Sequence, residues 1–427
     1  MSEKKQVVIV GGGFAGLNAA RDLSGYRNIH ATLVDRRNHH LFQPLLYQVA
    51  MAALSPAEIA APIRTVVRHS ENVDVLFGNV TGVDLANKKL KVDFGELPYD
   101  YLILACGSNH SYFGHDEWED HAPGLKSLEE ALEIRRRVLT AFELAEREHD
   151  PKIQEELLTF VIVGAGPTGV ELAGALAEIS HYTMGHDFRN IDPRRTRVYL
   201  IEGGPRVLPP FDPKLSAYAQ KALEKLDVIV KTNSIVTNVS AEGVVIGNET
   251  IRARTVLWAA GVQPSELNKA LGVPTDRGGR VIVERDCSLA SHPEVFVLGD
   301  QAAFEAGAGK YLPGVATVAI QQGHFVAKLI KDELKGKARK HFEYWDKGSM
   351  ATIGRALAVL QTNRLKMSGF FAWIGWLLVH IYYLIGFENR TVVLFQWAYN
   401  YLTMGRGARI ITNRHWQSHA KSHKADA

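Results

Sequence analysis

The residues that most plainly carry chemistry are glycines placed between an apolar run and a stretch that can form a helix. Gly11, Gly13 and Gly16 make a G-x-G-x-x-G pattern directly after the apolar run 6–10. Asp35 ends the next apolar run, 19 residues beyond Gly16. This order of strand, glycine turn, helix and terminal acid is the dinucleotide-binding fingerprint, in which the helix N-terminus binds the pyrophosphate and the acid binds a ribose.

The same pattern occurs a second time. Gly164, Gly166 and Gly169 follow the apolar run 159–163. Glu202 ends the next apolar run, 33 residues beyond Gly169, and an extended helix end plus a loop explains the longer spacing. Two fingerprints in one chain predict two different dinucleotides. An acid at Glu202 would repel a 2′-phosphate, so the second fingerprint favours NADH over NADPH.

Other interpretations of these residues stay open. Glycine turns also occur without a nucleotide, and Asp35 or Glu202 could be an ordinary acid at the end of a strand. Arg206 lies close to Glu202 in sequence and would weaken the preference for NADH.

Composition limits the class of protein. A chain of 427 residues, 46% apolar and 22% charged, predicts two or three domains with real cores. A net charge of +3 does not indicate nucleic-acid binding, and the first residues lack the apolar segment of a secretory signal. Cys106 and Cys287 stand far apart, which argues against a disulfide scaffold, a zinc site and a dithiol redox centre.

No metal site is predicted from the histidines. Adjacent residues in an extended segment point to opposite faces, and histidines spaced by four in a basic tail are more typical of disorder than of a ligand set. The histidines concerned are His39, His40, His415, His419 and His423.

Three further segments resemble parts of the two-dinucleotide-binding flavoproteins. Segments 99–108 and 255–262 are similar to the strand-to-glycine crossovers of that superfamily, and 294–300 is similar to its late FAD motif. The resemblance implies that the first fingerprint binds FAD and the second NADH. The implied FAD contacts are Gly11, Gly13, Ala15, Gly16, Asp35, Arg36, Gln43, Pro44, Gly107, Asp300 and Ala316. The implied NADH contacts are Gly164, Gly166, Gly169, Glu202 and Gly261.

The resemblance also implies the architecture. We expect an α/β fold with two Rossmann-like dinucleotide-binding domains and a C-terminal amphipathic helical region that anchors the chain to a membrane. The expected FAD domain combines 1–115 and 280–345, the NADH domain is 116–279, and the membrane-association region is 346–427.

Within that superfamily the chain is similar to the type II NADH dehydrogenases, which are single-subunit NADH:quinone oxidoreductases that do not pump protons. Segments 36–50, 166–178, 319–323 and 376–390 carry this narrower resemblance, which spans essentially the whole chain. It implies that a hydride passes from NADH to N5 of FAD, and that two electrons then reduce a membrane quinone, ubiquinone or menaquinone, to the quinol. Some members have Ala-Gln where this chain has Ala316-Thr317, which leaves one polar contact to the quinone open.

Four residues are the candidate catalytic groups. Glu171 is placed on the first turn of a helix, where the helix dipole favours its ionised form; the resemblance gives it a role in proton relay or in organising the NADH complex. Gln321, with Gln322 beside it, is the candidate hydrogen-bond donor to a quinone carbonyl, and Lys366 flanks the quinone entry. Alternatively, Glu171 only complements the dipole, Gln321 contacts only backbone, and Lys366 is an interfacial lysine.

The C-terminal region has the composition of a membrane-surface segment. Residues 367–387 carry no formal charge, but their histidine, tyrosines and glycines suit an interface better than a bilayer centre. Residues 391–404 predict an amphipathic helix, and 405–427 is basic. We therefore predict a peripheral, monotopic protein on the cytoplasmic face of the membrane, bound to the bilayer surface through 366–427. Packing on the soluble core, a homodimer contact or a single transmembrane pass are the alternatives.

Rival functions also remain open at this point. A sulfide:quinone oxidoreductase would use two cysteines beside the flavin, which the contexts of Cys106 and Cys287 do not resemble. A soluble NAD(P)H oxidase or ferredoxin reductase would leave the apolar tail unexplained. A redox sensor that binds NADH and FAD and signals through a partner would share the same fold.

Overall fold

The computed structural model describes residues 4–185, 187–403 and 405–411, apart from the side chains of residues 387 and 388. The histidines predicted at 415, 419 and 423 and most of the basic tail lie outside these residues. Within them the α-helices are α1 Phe14–Leu23, α2 Leu46–Ala50, α3 Ile63–Val66, α4 Leu128–Arg147, α5 Pro151–Leu157, α6 Pro167–Glu178, α7 Pro213–Glu224, α8 Leu267–Ala270, α9 Ala316–Glu333, α10 Phe370–Tyr383 and α11 Phe387–Thr403.

The strands of the same residues form several parallel and antiparallel sheets. They are β1 Lys5–Val10, β2 Ile29–Asp35, β3 His39–Leu41, β4 Ala60–Pro62, β5 Val73–Phe77, β6 Val80–Asp84, β7 Lys89–Val92, β8 Gly95–Pro98, β9 Tyr101–Leu104, β10 Ser108–His110, β11 Thr159–Val163, β12 Arg197–Ile201, β13 Val228–Lys231, β14 Val236–Ser240, β15 Gly243–Ile246, β16 Glu249–Arg252, β17 Thr255–Trp258, β18 Val262–Pro264, β19 Val281–Ile282, β20 Ser288–Leu289, β21 His292–Val297, β22 Ala302–Ala303, β23 Glu305–Gly307, β24 Lys310–Tyr311, β25 Ser349–Gly354, β26 Leu357–Gln361 and β27 Lys366–Gly369.

The first compact unit is built on a six-stranded sheet in the order β20-β21-β9-β1-β2-β5. The strands from β21 to β5 run parallel, with Ile9 opposite Leu33 on β2 and Ile103 on β9. The last four residues of β1 are buried, as expected for a parallel strand that is covered on both faces. Because parallel strands end at the same edge, the glycine turn after β1 lies beside Asp35, the last residue of β2.

Helix α1 follows the glycine turn and packs closely on α9 of the same unit. A Cβ atom on Gly323 of α9 would clash with the carbonyl oxygen of Ala15 on α1, so a glycine is required at this crossing. Smaller antiparallel sheets complete the unit, including β6-β7-β8 and the pair β10-β18.

The second compact unit repeats the parallel plan with four strands in the order β13-β12-β11-β17. All five residues of β11 are buried, and Val161 lies opposite Tyr199 and Val256. An aromatic cluster packs behind this sheet, with the rings of Tyr112 and Trp258 5.1 Å apart. The antiparallel sheet β25-β26-β27 belongs to the same unit and packs against α6.

The two compact units divide the chain at different places from the predicted domains. The first unit comprises the N-terminal stretch up to Phe42, Ala60–Ser111 and Gly261–Lys347. The second comprises Gln43–Ile59, Tyr112–Ala260 and the stretch from Gly348 onwards. The C-terminal helices therefore share a unit with the second fingerprint, because α10 packs on β26 and α11 contacts α10. The functional boundaries 1–115, 116–279, 280–345 and 346–427 stay predictions.

Helices α10 and α11 leave large apolar side chains exposed. On α10 these are Phe370, Phe371, Leu378, Val379 and Tyr382, and on α11 they are Val392, Leu394, Phe395, Tyr399 and Leu402. Asn400 of α11 turns towards the protein instead, since it donates to the carbonyl oxygen of Ala53 (3.2 Å) and accepts from Gln396 of the same helix (2.9 Å). Among the residues that the structure describes, we find no helix with the length and hydropathy of a membrane-spanning segment.

Candidate functional site

The first fingerprint forms a nucleotide cradle, which we define as residues 11–16 with Asp35. Gly11 has a φ of +98°, and a Cβ atom there would clash with the backbone of Ala105. A Cβ atom on Gly16 would clash with the carbonyl oxygen of Gly11. Gly13, in contrast, has open space at its Cβ position and precedes α1 without a side-chain cap. Packing within the protein does not require a glycine at this position. A phosphate that approaches the uncapped N–H groups of α1 does require one, because a side chain would occupy its space.

The carboxylate of Asp35 is held by the cradle itself. Oδ2 accepts from the backbone N–H of Gly12 (2.6 Å) and Oδ1 accepts from that of Arg37 (2.6 Å). Each carboxylate oxygen can accept more than one hydrogen bond, so both can still accept from the hydroxyls of a ribose. The buried His40, which the sequence analysis did not include, supports the turn through a 2.9 Å bond between Nδ1 and the carbonyl oxygen of Gly12.

The second fingerprint forms an equivalent cradle, residues 164–169 with Glu202, inside the other unit. Gly164 has a φ of +99°, a Cβ atom on Gly169 would clash with the carbonyl oxygen of Gly164, and Gly166 again faces open space. Oε2 of Glu202 accepts from the N–H of Ala165 (2.8 Å), and Oε1 accepts from Gly204 (2.8 Å).

The environment of Glu202 supports the preference for NADH. The exposed guanidinium of Arg206 donates to the carbonyl oxygen of Pro209 (2.7 Å). Since Glu202 keeps its carboxylate at the end of β12, a 2′-phosphate placed there would meet a negative charge.

A polar network joins the strand ends of the first unit. Ser108 donates to Asp300 (2.7 Å), the N–H of Cys106 donates to Oε1 of Gln301 (2.9 Å), and Gln301 donates to Asn268 (2.6 Å). These bonds position Asp300 and the turn at Gly107, two of the predicted FAD contacts. Gln301 and Asn268 were not predicted, although Gln301 directly follows the late FAD motif.

The two predicted glutamines of α9 are both satisfied by backbone groups. Oε1 of the buried Gln322 accepts from the N–H of Gly299 (2.7 Å). Gln321 donates to Thr317 (3.1 Å) and to Trp345 (3.0 Å), and accepts from the N–H of Trp345 (3.0 Å). These contacts correspond to the backbone-only alternative, so the contact of Gln321 with a quinone stays a prediction. Ala316, a predicted FAD contact, is the first residue of α9.

Three other predicted contact residues lie in a different compact unit from the one expected, and a fourth predicted residue forms an ion pair at the surface. Gln43 and Pro44 belong to the second unit, where Gln43 donates to the carbonyl oxygen of Lys126 (3.1 Å). Gly261 belongs to the first unit, and its carbonyl oxygen accepts from Ser111 (3.1 Å). Lys366, half-exposed on β27, pairs with Asp212 at 2.7 Å. Their contacts with FAD, NADH and quinone stay predictions.

A cavity of about 360 Å³ lies within the second unit and is called the aromatic cavity below. Its volume falls in the range of small-molecule sites. Its aromatic walls are Tyr47, Tyr182, Trp373, Trp376, Trp397 and Tyr401, and its polar lining includes Gln48, Glu171, Glu178, Thr352, Arg355, Asn400 and Arg406. Of this lining the sequence analysis predicted only Glu171 as a site residue. Apolar walls with a few convergent polar groups are typical of a binding site for a planar ring.

Glu171 lies on the second turn of α6, and the expectation that it is ionised is wrong. Helix α6 begins at Pro167, so Glu171 is beyond the reach of the N-terminal N–H groups. Its hydrogen bond in the described residues is a long one, 3.4 Å from the N–H of Thr352. Burial raises the pKa of Glu171 to about 8, because a charged carboxylate is poorly solvated there.

Glu178 lies two turns further along α6 and was not predicted, although a spacing of seven residues puts it on the same helix face as Glu171. It accepts from the backbone N–H of Arg355 and from Nη2 of Arg406 (3.2 Å). Burial raises the pKa of Glu178, and Arg406 opposes this rise. The arginine partner distinguishes it from Glu171, which has none among the residues that the structure describes.

The two cysteines are unsuited to thiol chemistry. Burial raises the pKa of Cys106 to about 12, and burial also raises the pKa of Cys287 well above its ordinary value. The thiolate is the reactive form, so neither cysteine fits the role that a sulfide:quinone oxidoreductase requires.

Comparisons with known proteins agree with this geometry. The family model for the pyridine nucleotide-disulphide oxidoreductases matches residues 5–323. The type II NADH:quinone oxidoreductase Ndh of Mycobacterium tuberculosis (strain ATCC 25618 / H37Rv) is 45% identical over 427 residues, which cover 96% of this chain and 91% of that protein. The chain belongs to the type II NADH:quinone oxidoreductase family.

Solved structures confirm the predicted fold of this family. The structure of NDH2 from Plasmodium falciparum in complex with NADH has a TM-score of 0.88 at 20% identity and covers 95% of this chain and 100% of that chain. The sulfide:quinone oxidoreductase from Aquifex aeolicus has a lower TM-score of 0.69 at 19% identity, over 91% of this chain and 92% of that chain. The predicted α/β architecture with two dinucleotide-binding domains is confirmed.

The residues present fit the cofactors of the family, FAD and the substrate NADH. Gly13 and Gly166 leave room for a pyrophosphate where any side chain would intrude. Asp35 and Glu202 present carboxylates fixed for ribose hydroxyls.

Proposed function

We propose that this chain oxidises NADH and reduces a membrane quinone to the quinol. The observation that carries the proposal is the presence of two complete nucleotide cradles, one in each compact unit. FAD, when bound, supplies a centre that accepts a hydride from NADH and passes two electrons to the quinone.

The first cradle would hold the FAD. The uncapped N–H groups at the start of α1 bind the pyrophosphate, and Asp35 accepts from the ribose hydroxyls. Asp300 would accept from the ribityl chain through its carboxylate, which Ser108 orients at 2.7 Å. In the second unit, α6 and Glu202 would bind NADH in the same manner.

The aromatic cavity would take the quinone ring. Its indole and phenol rings offer flat apolar walls, and Glu171 supplies the proton that a quinone oxygen needs on reduction. With a pKa of about 8, Glu171 is protonated at neutral pH. Because Oε1 accepts from the N–H of Thr352, the proton is held on Oε2, where it can be transferred.

Steady-state kinetics with a matrix of donors and acceptors tests this function. NADH, NADPH and sulfide are each combined with a short-chain ubiquinone, a short-chain menaquinone and oxygen. We expect fast turnover for NADH with at least one quinone, slow turnover with oxygen, and no reaction from sulfide. Sulfide-driven quinone reduction would indicate the rival oxidoreductase instead. Reduction by NADH followed by no quinone turnover would indicate a redox sensor.

The exposed apolar faces of α10 and α11 would bind the surface of the lipid bilayer. Phe371, Phe395 and Leu402 are each at least 74% exposed, and an apolar patch of this kind on two helices is typical of monotopic proteins. A quinone dissolved in the lipid would then have a short path to the aromatic cavity, which α10 and α11 help to line. Binding from the cytoplasmic face would give access to NADH.

Flotation with anionic vesicles tests the lipid proposal. We expect the wild-type chain to float and the triple variant Phe371→Ser, Phe395→Ser, Leu402→Ser to remain at the bottom. Ile235→Ser, at a 69% exposed residue outside these helices, is the matched control and should float. If the triple variant still floats, the face does not bind lipid. A concentration-dependent dimer that the triple variant abolishes without changing flotation would assign the face to a second copy.

A further inference from the structure

Four side chains in the wall of the aromatic cavity form one continuous chain of hydrogen bonds. The indole N–H of Trp397 on α11 donates to Oε1 of Gln48 on α2 (2.7 Å), and Nε2 of Gln48 donates to the hydroxyl of Tyr47 (3.0 Å). The hydroxyl of Tyr47 is 3.0 Å from Oγ1 of Thr352 on β25. The backbone N–H of Thr352 is the group that donates to Glu171. The chain therefore ends beside the protonated carboxyl group.

The direction of this chain follows from the chemistry of its members. An indole N–H only donates, so Gln48 must present its oxygen to Trp397 and its nitrogen to Tyr47. Either hydroxyl of the Tyr47–Thr352 pair can donate to the other. A phenol is the stronger donor and an aliphatic hydroxyl the stronger acceptor, so we assign the shared proton to Tyr47, which donates to Oγ1 of Thr352.

With Tyr47 donating to Thr352, the hydroxyl proton of Thr352 is left without an acceptor in the described residues. Thr352 is buried, lines the aromatic cavity, and has no acceptor for its hydroxyl proton in the described part of the chain. Tyr47 keeps its own proton throughout the physiological range, because burial raises its pKa.

We propose that Trp397, Gln48 and Tyr47 form a directed chain that orients the hydroxyl of Thr352 as a hydrogen-bond donor to a carbonyl oxygen of the quinone in the aromatic cavity. The inference rests on the proposed function and adds a substrate contact to it. Thr352 touches the substrate, and the other three are positioning residues. Helix α11 also carries the exposed apolar face, so the residues that start the chain and those proposed to bind lipid belong to one element.

Close packing fixes the position of Thr352, as a hydrogen-bond donor to the quinone requires. A Cβ atom on Gly174 of α6 would clash with the carbonyl oxygen of Ile353, so α6 and β25 are in direct backbone contact. The same contact sets the distance between Thr352 and Glu171. A donor and a proton source thus lie next to each other in one wall of the cavity.

Quinone kinetics of four variants test the proposal. Thr352→Val removes the donor, Thr352→Ser restores it, and Tyr47→Phe and Trp397→Phe break the chain upstream. The matched control is Thr196→Val, because Thr196 is also buried in the second unit, lies outside the cavity lining, and has an unpaired hydroxyl in the described residues. Each variant is measured for the KM of a short-chain quinone, for the rate at which NADH bleaches the bound flavin, and for its melting temperature.

We expect Thr352→Val to raise the quinone KM about five- to tenfold, the value of one neutral hydrogen bond, with flavin bleaching by NADH unchanged. Thr352→Ser should restore the KM, Tyr47→Phe and Trp397→Phe should raise it by smaller factors, and Thr196→Val should not change it. A wild-type KM in Thr352→Val would overturn the proposal, whether or not its melting temperature falls. If Thr352→Val does not fold, an unchanged KM in both Tyr47→Phe and Trp397→Phe would overturn it equally.

A failure of the directed chain can be distinguished from a failure of the proposed function. Failure of the wild-type protein to turn over any quinone contradicts the function itself. Quinone turnover by the wild type together with no KM effect in these variants contradicts only the directed chain.

Discussion

The two nucleotide cradles are built from the same backbone and differ in the side chains that follow. In each, a glycine with a φ near +100° turns the chain after a buried strand, and an acid at the next strand accepts two backbone N–H groups. The helices after the turns then diverge. The polar side chain Asn18 on α1 donates back to its own helix at Phe14 (2.7 Å), whereas α6 brings Glu171 and Glu178 to the aromatic cavity.

This difference separates binding from reaction. A phosphate-binding turn is a property of backbone geometry, so it recurs wherever the same glycines occur. The reactive group comes from the helix that follows. In the described residues, the helix after the second cradle carries two carboxylates, Glu171 and Glu178, that line a cavity. We infer that the first unit holds a resident cofactor and that the second unit holds the exchangeable substrate together with the proton source.

The largest expected effect comes from filling the phosphate space of one cradle at a time. Gly13→Val and Gly166→Val place a Cβ atom where nothing in the described protein lies within 4 Å, so both should fold. We expect Gly13→Val to be purified without flavin colour, and Gly166→Val to keep its flavin while losing NADH affinity at least about a hundredfold, roughly 2.8 kcal/mol. Visible absorbance measures the flavin content and an anaerobic NADH titration measures the NADH affinity. The melting temperature shows whether each variant is folded. Retention of full flavin by Gly13→Val would show that the cradle assignment is mistaken.

The next largest effect concerns the proton held by Glu171. Below a pKa of about 8 the group is protonated, so quinone turnover should fall as the pH rises through about 8. Glu171→Gln should lower quinone turnover by about a hundredfold, leave the flavin content unchanged, and remove this pH-dependent limb. Glu224→Gln, at an exposed glutamate of α7, is the control and should keep the wild-type profile. If quinone turnover of Glu171→Gln still falls as the pH rises through about 8, the titrating group is not Glu171.

A moderate effect on nucleotide preference should distinguish the roles of Glu202 and Asp35. Glu202→Gln removes the charge that opposes a 2′-phosphate, so the preference for NADH over NADPH should narrow by about tenfold, ~1.4 kcal/mol. Asp35→Asn is the symmetric change in the first cradle and should weaken flavin retention without altering that preference. The ratio of kcat/KM for the two nucleotides measures this, and an unchanged ratio in Glu202→Gln would contradict the role of the carboxylate.

The smallest effect is expected at Lys366. Its ammonium group pairs with Asp212 at 2.7 Å, and the lysine side chain is 55% exposed. Exposed pairs contribute about 0–1 kcal/mol, so Lys366→Ala should lower the melting temperature by at most a few degrees, and less in high salt. A clear rise in the quinone KM would instead support the role at the quinone entry that the resemblance implies.

Elements with a local sequence signal could be predicted from the sequence. The runs 6–10 and 159–163 are strands, and each glycine pattern precedes a helix, because the apolar run of a strand and the glycines that permit a positive φ lie within one short stretch of sequence. The protonation of Glu171 was mispredicted because burial depends on β25, some 180 residues further along the chain. Similarly, the bond between Trp397 and Gln48 joins residues 349 apart in sequence, and no local pattern indicates it.

The central claim is that the two cradles hold unlike nucleotides in one working enzyme. An anaerobic titration of the purified chain with NADH, followed in the visible flavin absorption, tests it most directly. The account predicts one FAD per chain, complete bleaching by one equivalent of NADH, and recovery of the absorption when quinone is added. Material that contains no flavin, or a flavin that NADH does not bleach, would contradict it.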